Sequence, residues 1–158
     1  MSLLQLFTNI DNSALAEMIR STSWLFPVIE AVHLLGLALI GGAVLILDLR
    51  LLGFGMMRQP IARVARDAHP WLVARLSVML PTGFLLFGSE AVKCYESAAF
   101  WVKMASLFLA IVFTFTVRRR VSMADEDRVA PLWGTVVGLV SLTLWSGVGW
   151  GGRWIGFS

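Results

Sequence analysis

Apolar residues along this chain gather into four long runs instead of alternating with polar ones. They extend from about Trp24 to Leu47, Trp71 to Val92, Ala99 to Val117 and Leu132 to Trp150. A helix rising 1.5 Å per residue needs ~20 apolar residues to cross a hydrocarbon core of about 30 Å. Barrel strands would show shorter segments with strict apolar–polar alternation. The pattern therefore predicts an all-α fold: an integral membrane four-helix bundle, organised as a single membrane domain over residues 1–158. Ahead of the first run, Leu3, Leu4, Leu6, Phe7, Leu15 and Met18 lie among polar residues. This spacing suits a short helix resting in the membrane interface. The same segment has no basic n-region and no small-residue cleavage site, so it does not read as a signal peptide.

Charge sets an orientation. Most of the 13 Lys and Arg fall in two segments, Arg50, Arg58, Arg63 and Arg66 after the first run and Arg118, Arg119, Arg120 and Arg128 after the third. Both segments lie on one side of a four-helix arrangement. The positive-inside rule places that side in the cytoplasm and both termini outside, in the periplasm, as expected of a multi-pass protein of a bacterial inner membrane. Asp125, Glu126 and Asp127 offset the second segment's charge but weigh little in that rule. Trp24, Trp71, Trp101 and Trp133 begin the runs and Trp150 and Trp154 close the last, at depths where indole rings settle among headgroups.

Composition supports the class and excludes others. The chain is 58% hydrophobic and only 15% charged, against roughly 25% charged residues in soluble domains, and its mean hydropathy is +0.77. A water-soluble enzyme and a disordered chain are both excluded. One cysteine, Cys94, rules out an internal disulfide and a thiolate zinc site. The basic balance is explained by topology, so no nucleic-acid partner is implied.

Helices in lipid associate through small residues and polar bonds. Gly134-Thr135-Val136-Val137-Gly138 is a GxxxG element, and Ala38 and Gly42 repeat its spacing in the first run. Both predict close helix contacts, within one protomer or between protomers. Pro81 removes the backbone bond to the Ser77 carbonyl and, with Gly83, predicts a kink.

Charges within a span are costly and so carry functional weight. Glu30 and Asp48 are 18 residues apart, five whole turns at 3.6 residues per turn, with His33 about 60° away. The three form one stripe expected to face the interior. Depth divides the polar residues into an outer group of Glu30, His33, Lys103 and Glu90 and an inner group of Asp48, Arg75 and His69. Asp48 and Arg75 are expected to form a structural ion pair. His33 is the natural candidate for a haem or metal ligand, with Glu30 orienting it, Met104 or Lys103 as partner, and His69 as a second candidate ligand. His69 differs from His33 in depth by roughly 15–20 Å, so one iron cannot take both. His69-Pro70-Trp71 reads as the interfacial start of the second span.

The run Pro27, Glu30, His33, Leu35-Gly36, Gly41 and Asp48-Leu49-Arg50-Leu51-Leu52-Gly53 resembles a family of uncharacterised bacterial four-helix membrane proteins. His69-Pro70-Trp71, Gly83-Leu85-Leu86-Phe87 and Phe100-x-x-Lys103 fit it too. The layout is also similar to the membrane domain of copper-resistance D proteins and to small b-type cytochromes. The resemblance implies architecture and little about activity. The functional expectation is a small redox protein holding haem b through His33 and passing electrons between quinone and a periplasmic carrier. The alternatives are a non-catalytic accessory subunit of a homo-oligomer or larger membrane complex, and a small proton or metal pathway using Glu30, His33 and Asp48. A stand-alone enzyme is not indicated.

Overall fold

The computed structural model describes residues 2–54, 58–124 and 131–155. Arg128 and the acidic run Asp125–Asp127 lie outside the described residues. The chain starts with two short helices, α1 (Leu3–Asp11) and α2 (Ala14–Ser21). Long helices α3 (Leu25–Leu51) and α4 (Ile61–Ser89) follow, with α5 (Ala91–Glu96) as a short link. The third span runs through α6 (Ala98–Phe113), a π-helical turn over Thr114–Arg118, and α7 (Arg119–Met123). The last is α8 (Pro131–Ile155). Four of these stretches are long and apolar enough to cross a membrane: Leu25–Leu51, Ile61–Ser89, Ala98–Met123 and Leu132–Ile155. Leu35, Phe84, Phe108 and Leu139 are all more than half exposed around the bundle. Apolar surface on every side is tolerable against lipid and not against water.

The helices outrun the hydropathy peaks on one side. Helix α4 begins ten residues before Trp71, because Ile61, Val64, Ala65 and Leu72 continue a buried or half-buried helical stripe. A hydropathy boundary marks where lipid ends, not where a helix ends. His69-Pro70-Trp71 is therefore inside α4, not at its start, and Pro70 forfeits only the bond to the Arg66 carbonyl. At the other end α4 stops at Ser89, before Val92.

Contact is closest between α3 and α4, between α6 and α8, and then between α3 and α8. The core is Ile40, Val44, Leu72, Leu76, Met79, Leu107, Ala110, Trp145 and Val148. The GxxxG element is used within the protomer: a Cβ on Gly138 would stand 3.2 Å from the Asp48 carbonyl oxygen. Gly42 has open space around it and belongs to the exposed face of α3.

The N-terminal segment forms two helices instead of one. Ser2 and Gln5 make a reciprocal capping box on α1, and Ser13 caps α2. Arg20 ties them down, donating to Asp11 Oδ2 at 3.1 Å, to the Asp11 carbonyl at 2.7 Å and to the Ser89 carbonyl at 2.8 Å. Phe7 then inserts edge-on against Phe87 and Tyr95, beside a stacked Phe87–Phe100 pair. Cys94 is buried in the same cluster. Loss of solvation, then the Glu90 carboxylate, pushes its thiol up to about 11. At pH 8 only about one thiol in a thousand is then ionised. Maleimide labelling of the native protein at pH 8 is expected to run about a hundredfold slower than after unfolding, and to accelerate towards pH 10. The sign of the linkage follows: the neutral thiol favours the fold below its ordinary range, and that contribution fades as pH rises towards 11. Native labelling as fast as unfolded labelling would contradict this burial.

Candidate functional site

Polar side chains inside the bundle form two layers. At the end covered by α1, α2 and α5, His33 is buried and its Nδ1 lies 3.0 Å from Thr82 Oγ1. The single Thr82 hydroxyl proton is directed back to the Val78 and Met79 carbonyls, at 2.9 and 3.1 Å. Thr82 therefore accepts from Nδ1–H, which leaves the lone pair of His33 on Nε2. Gly83 makes room for the ring, since a Cβ there would stand 3.0 Å from His33 Cε1.

The other residues expected beside His33 are elsewhere. Glu30 is exposed, although it shares the azimuth of buried Asp48. Azimuth selects a face, but burial also needs a neighbour at that depth, and Glu30 is only in the second turn of α3. Lys103 is half-buried with its stem along Gly151 and Gly152 of α8; it makes no ion pair with Glu30 or Glu90 among the described residues. Glu90 caps the end of α4. Met104 is 43% exposed and points away from the interior. Of the groups considered for a haem b, this level of the bundle offers the His33 imidazole and the half-buried Lys103, while Met104 faces outward. Among the described residues no group of three or more His, Cys, Asp or Glu could hold a metal ion.

At the arginine-rich end, Asp48 is fully buried and its partner is Arg118, not Arg75. Arg118 Nε donates to Asp48 Oδ1 at 2.7 Å and Nη2 to the Val44 carbonyl at 3.0 Å. Arg75 instead donates to the Leu39 carbonyl at 3.1 Å and lies 4.9 Å above the Trp71 ring. Its level is that of Leu39, nine residues and so about 13 Å along α3 from Asp48. The early start of α4 produces this shift. Ser141 of α8 borders the carboxylate, and its hydroxyl is the group placed to serve Asp48 Oδ2, the oxygen that Arg118 does not reach.

Arg118 was expected in a loop, and the π turn explains why it is inside. Thr114, Arg118 and Ser122 are buried and four residues apart. Four residues of α-helix overshoot a full turn by about 40°. The wider π turn cancels that drift and holds all three on the interior face. Trp145 Nε1 donates to Thr114 Oγ1 at 3.2 Å, fixing the turn against α8. The signal in the sequence was this run of polar residues at intervals of four.

Beside the ion pair, α3, α4 and the π turn enclose a partly open cavity of about 240 Å³. Its wall includes Leu47, Ala68, His69, Leu72, Phe115 and Arg118, with Arg66 and Arg119 exposed at the side. His69 Nε2 is buried and lacks a hydrogen-bond partner among the described residues, while the ring sits edge-on to Phe115 at 6.0 Å. A buried ring nitrogen without a partner is costly unless something fills the space beside it. His69 and His33 are far apart: His33 packs at Gly83, fourteen residues along α4 from His69, or about 20 Å.

A sequence-family match covers residues 11–158, to a family of unknown function, DUF6644. The chain belongs to the DUF6644 family. No curated protein matches it, and no solved structure does. Membership brings no activity with it.

Proposed function

We propose that this DUF6644 protein is a ligand-binding protein of the bacterial inner membrane whose site is the cavity at the arginine-rich end. The observation that carries this reading is the buried, unpartnered His69 Nε2 in the wall of a 240 Å³ space. Such a nitrogen is satisfied by a ligand oxygen or hydroxyl seated in the cavity. A π turn in the wall supports the same reading, since π-bulges are frequent at functional sites.

The other roles have less support. An electron carrier based on haem at His33 draws on the free Nε2 lone pair but lacks Met104 as partner. A proton or metal pathway would have to join His33 to Asp48 through the apolar layer of Ile40, Val44, Met79 and Leu107. An accessory subunit would no longer have the GxxxG face for docking, because Gly134 and Gly138 pack on α3.

Purification in mild detergent, followed by an absorption spectrum and solvent extraction, tests the proposal. The expected result is a colourless protein that releases one molecular species in near-stoichiometric amount. Ala68→Trp, which fills the cavity, should abolish that species while helical content is retained; Ala43→Phe is a second filling variant. A Soret band lost in His33→Ala would overturn the reading in favour of haem. Retention of the species in both filling variants would also overturn it.

A further inference from the structure

Resting on that reading of the cavity, we infer that its ligand is an amphiphile with an oxyanion headgroup, a carboxylate or a phosphate. The wall carries both cationic and apolar side chains. Arg66, Arg118 and Arg119 are among the first, and Leu47, Leu72 and Phe115 among the second. Asp48 neutralises Arg118, but neither Arg66 nor Arg119 has an ion-pair partner among the described residues. Asp67, next to Arg66 in the chain, is exposed and outside the wall. Among the described residues, the wall therefore carries net positive charge and disfavours a cationic headgroup.

The donor inventory narrows the class. A guanidinium has five N–H donors in a planar fork that matches the oxygens of a carboxylate or phosphate. Arg118 uses its Nε–H on Asp48 and an Nη2–H on the Val44 carbonyl, so donors remain for a ligand. Of the wall hydroxyls, Ser122 donates to the Arg119 carbonyl at 3.3 Å, while Thr114 accepts from Trp145 and keeps its own O–H as a donor. His69 Nε2, the Thr114 O–H and the arginines are then the groups left to meet a headgroup, and every one of the donors among them suits an oxyanion. A neutral ring compound such as a quinone would satisfy His69 and leave the arginines idle.

Size and place indicate that the headgroup carries a chain. At about 240 Å³ the cavity is smaller than the ~300–1,000 Å³ of sites that enclose a drug-sized ligand. It holds a headgroup and its first carbons on Leu47, Leu72 and Phe115, and the remaining chain leaves through the open side. Inorganic phosphate alone would leave that apolar wall uncovered. A bilayer lipid and a free fatty acid or alkyl phosphate share this chemistry.

The test follows thermal unfolding in neutral detergent with dodecyl phosphate, dodecanoate, dodecanol, dodecyltrimethylammonium and inorganic phosphate as probes. Dodecyl phosphate and dodecanoate are expected to raise Tm in a saturable way, and the other three to leave it unchanged. The double variant Arg66→Gln/Arg119→Gln keeps the fold, since both side chains are exposed, and weakens dodecyl phosphate about tenfold or more. Stabilisation by dodecanol equal to that by dodecyl phosphate, or no effect of the double variant, overturns the oxyanion class. In that event the cavity itself still stands if Ala68→Trp or Ala43→Phe abolishes dodecanol's effect. If neither filling variant changes any probe's effect, the reading of the cavity fails as well. In phosphatidylcholine nanodiscs, displacement of dodecyl phosphate by added phosphatidylglycerol assigns the bilayer as source, and its absence assigns a free amphiphile.

Discussion

Arg118→Ala is expected to destabilise the folded protein by about 3–5 kcal/mol. The substitution leaves Asp48 wholly buried with its charge uncompensated, and it also removes the second bond, from Arg118 Nη2 to the Val44 carbonyl. Lysine would not rescue, because a point charge cannot reproduce the Nε and Nη2 bonds together. The paired replacement Asp48→Leu/Arg118→Met should behave differently, returning stability to within about 1 kcal/mol of the parent or above it. Removing both charges also removes both desolvation costs. Unfolding in sodium dodecyl sulfate, followed by circular dichroism, measures both. A single-variant loss below ~1 kcal/mol would mean that water reaches Asp48. If the double variant keeps the fold yet loses the cavity ligand, Arg118 contributes to binding as well as to packing.

Gly138→Leu carries the second large effect. Its Cβ would stand 3.2 Å from the Asp48 carbonyl oxygen and 3.3 Å from Leu51 Cβ, and the remaining three carbons have nowhere to go. Helix α8 must move off α3, at a cost of about 3 kcal/mol, the upper end of ordinary overpacking. The control is Gly42→Leu, at the other small-residue motif. Open space surrounds that position, so the change should be neutral or stabilise by up to ~1 kcal/mol through helix propensity. Equal losses in the two variants would show that the α3 face is also covered, as a homo-oligomer would require.

These two glycines show how far the sequence could be read. Both motifs have the same spacing and both suit close helix contact, but the pattern cannot tell which has a neighbour. The same limit explains Glu30 and Asp48. Their common azimuth was legible from helical geometry, while burial depended on which helix reaches each level. Arg75 and Arg118 exchanged places for another reason. A hydropathy boundary taken at Trp71 placed Arg75 level with Asp48, whereas α4 starts at Ile61 and shifts the register by nearly three turns.

Four apolar runs, their lengths and the positions of tryptophan and arginine determine by themselves that this chain is an all-α bundle with four membrane-length helices. That information is local: it depends on how many consecutive residues prefer lipid to water, and it survives any change of packing. The tertiary structure decided what the local pattern could not contain. It turned Arg118 inward through a π turn, matched it to Asp48, set His33 against Thr82 and Gly83, and left His69 facing a cavity. Those outcomes depend on which residue of one helix meets which residue of another. Register, kink and helix length fix that meeting jointly, and each is set by contacts between segments distant in sequence.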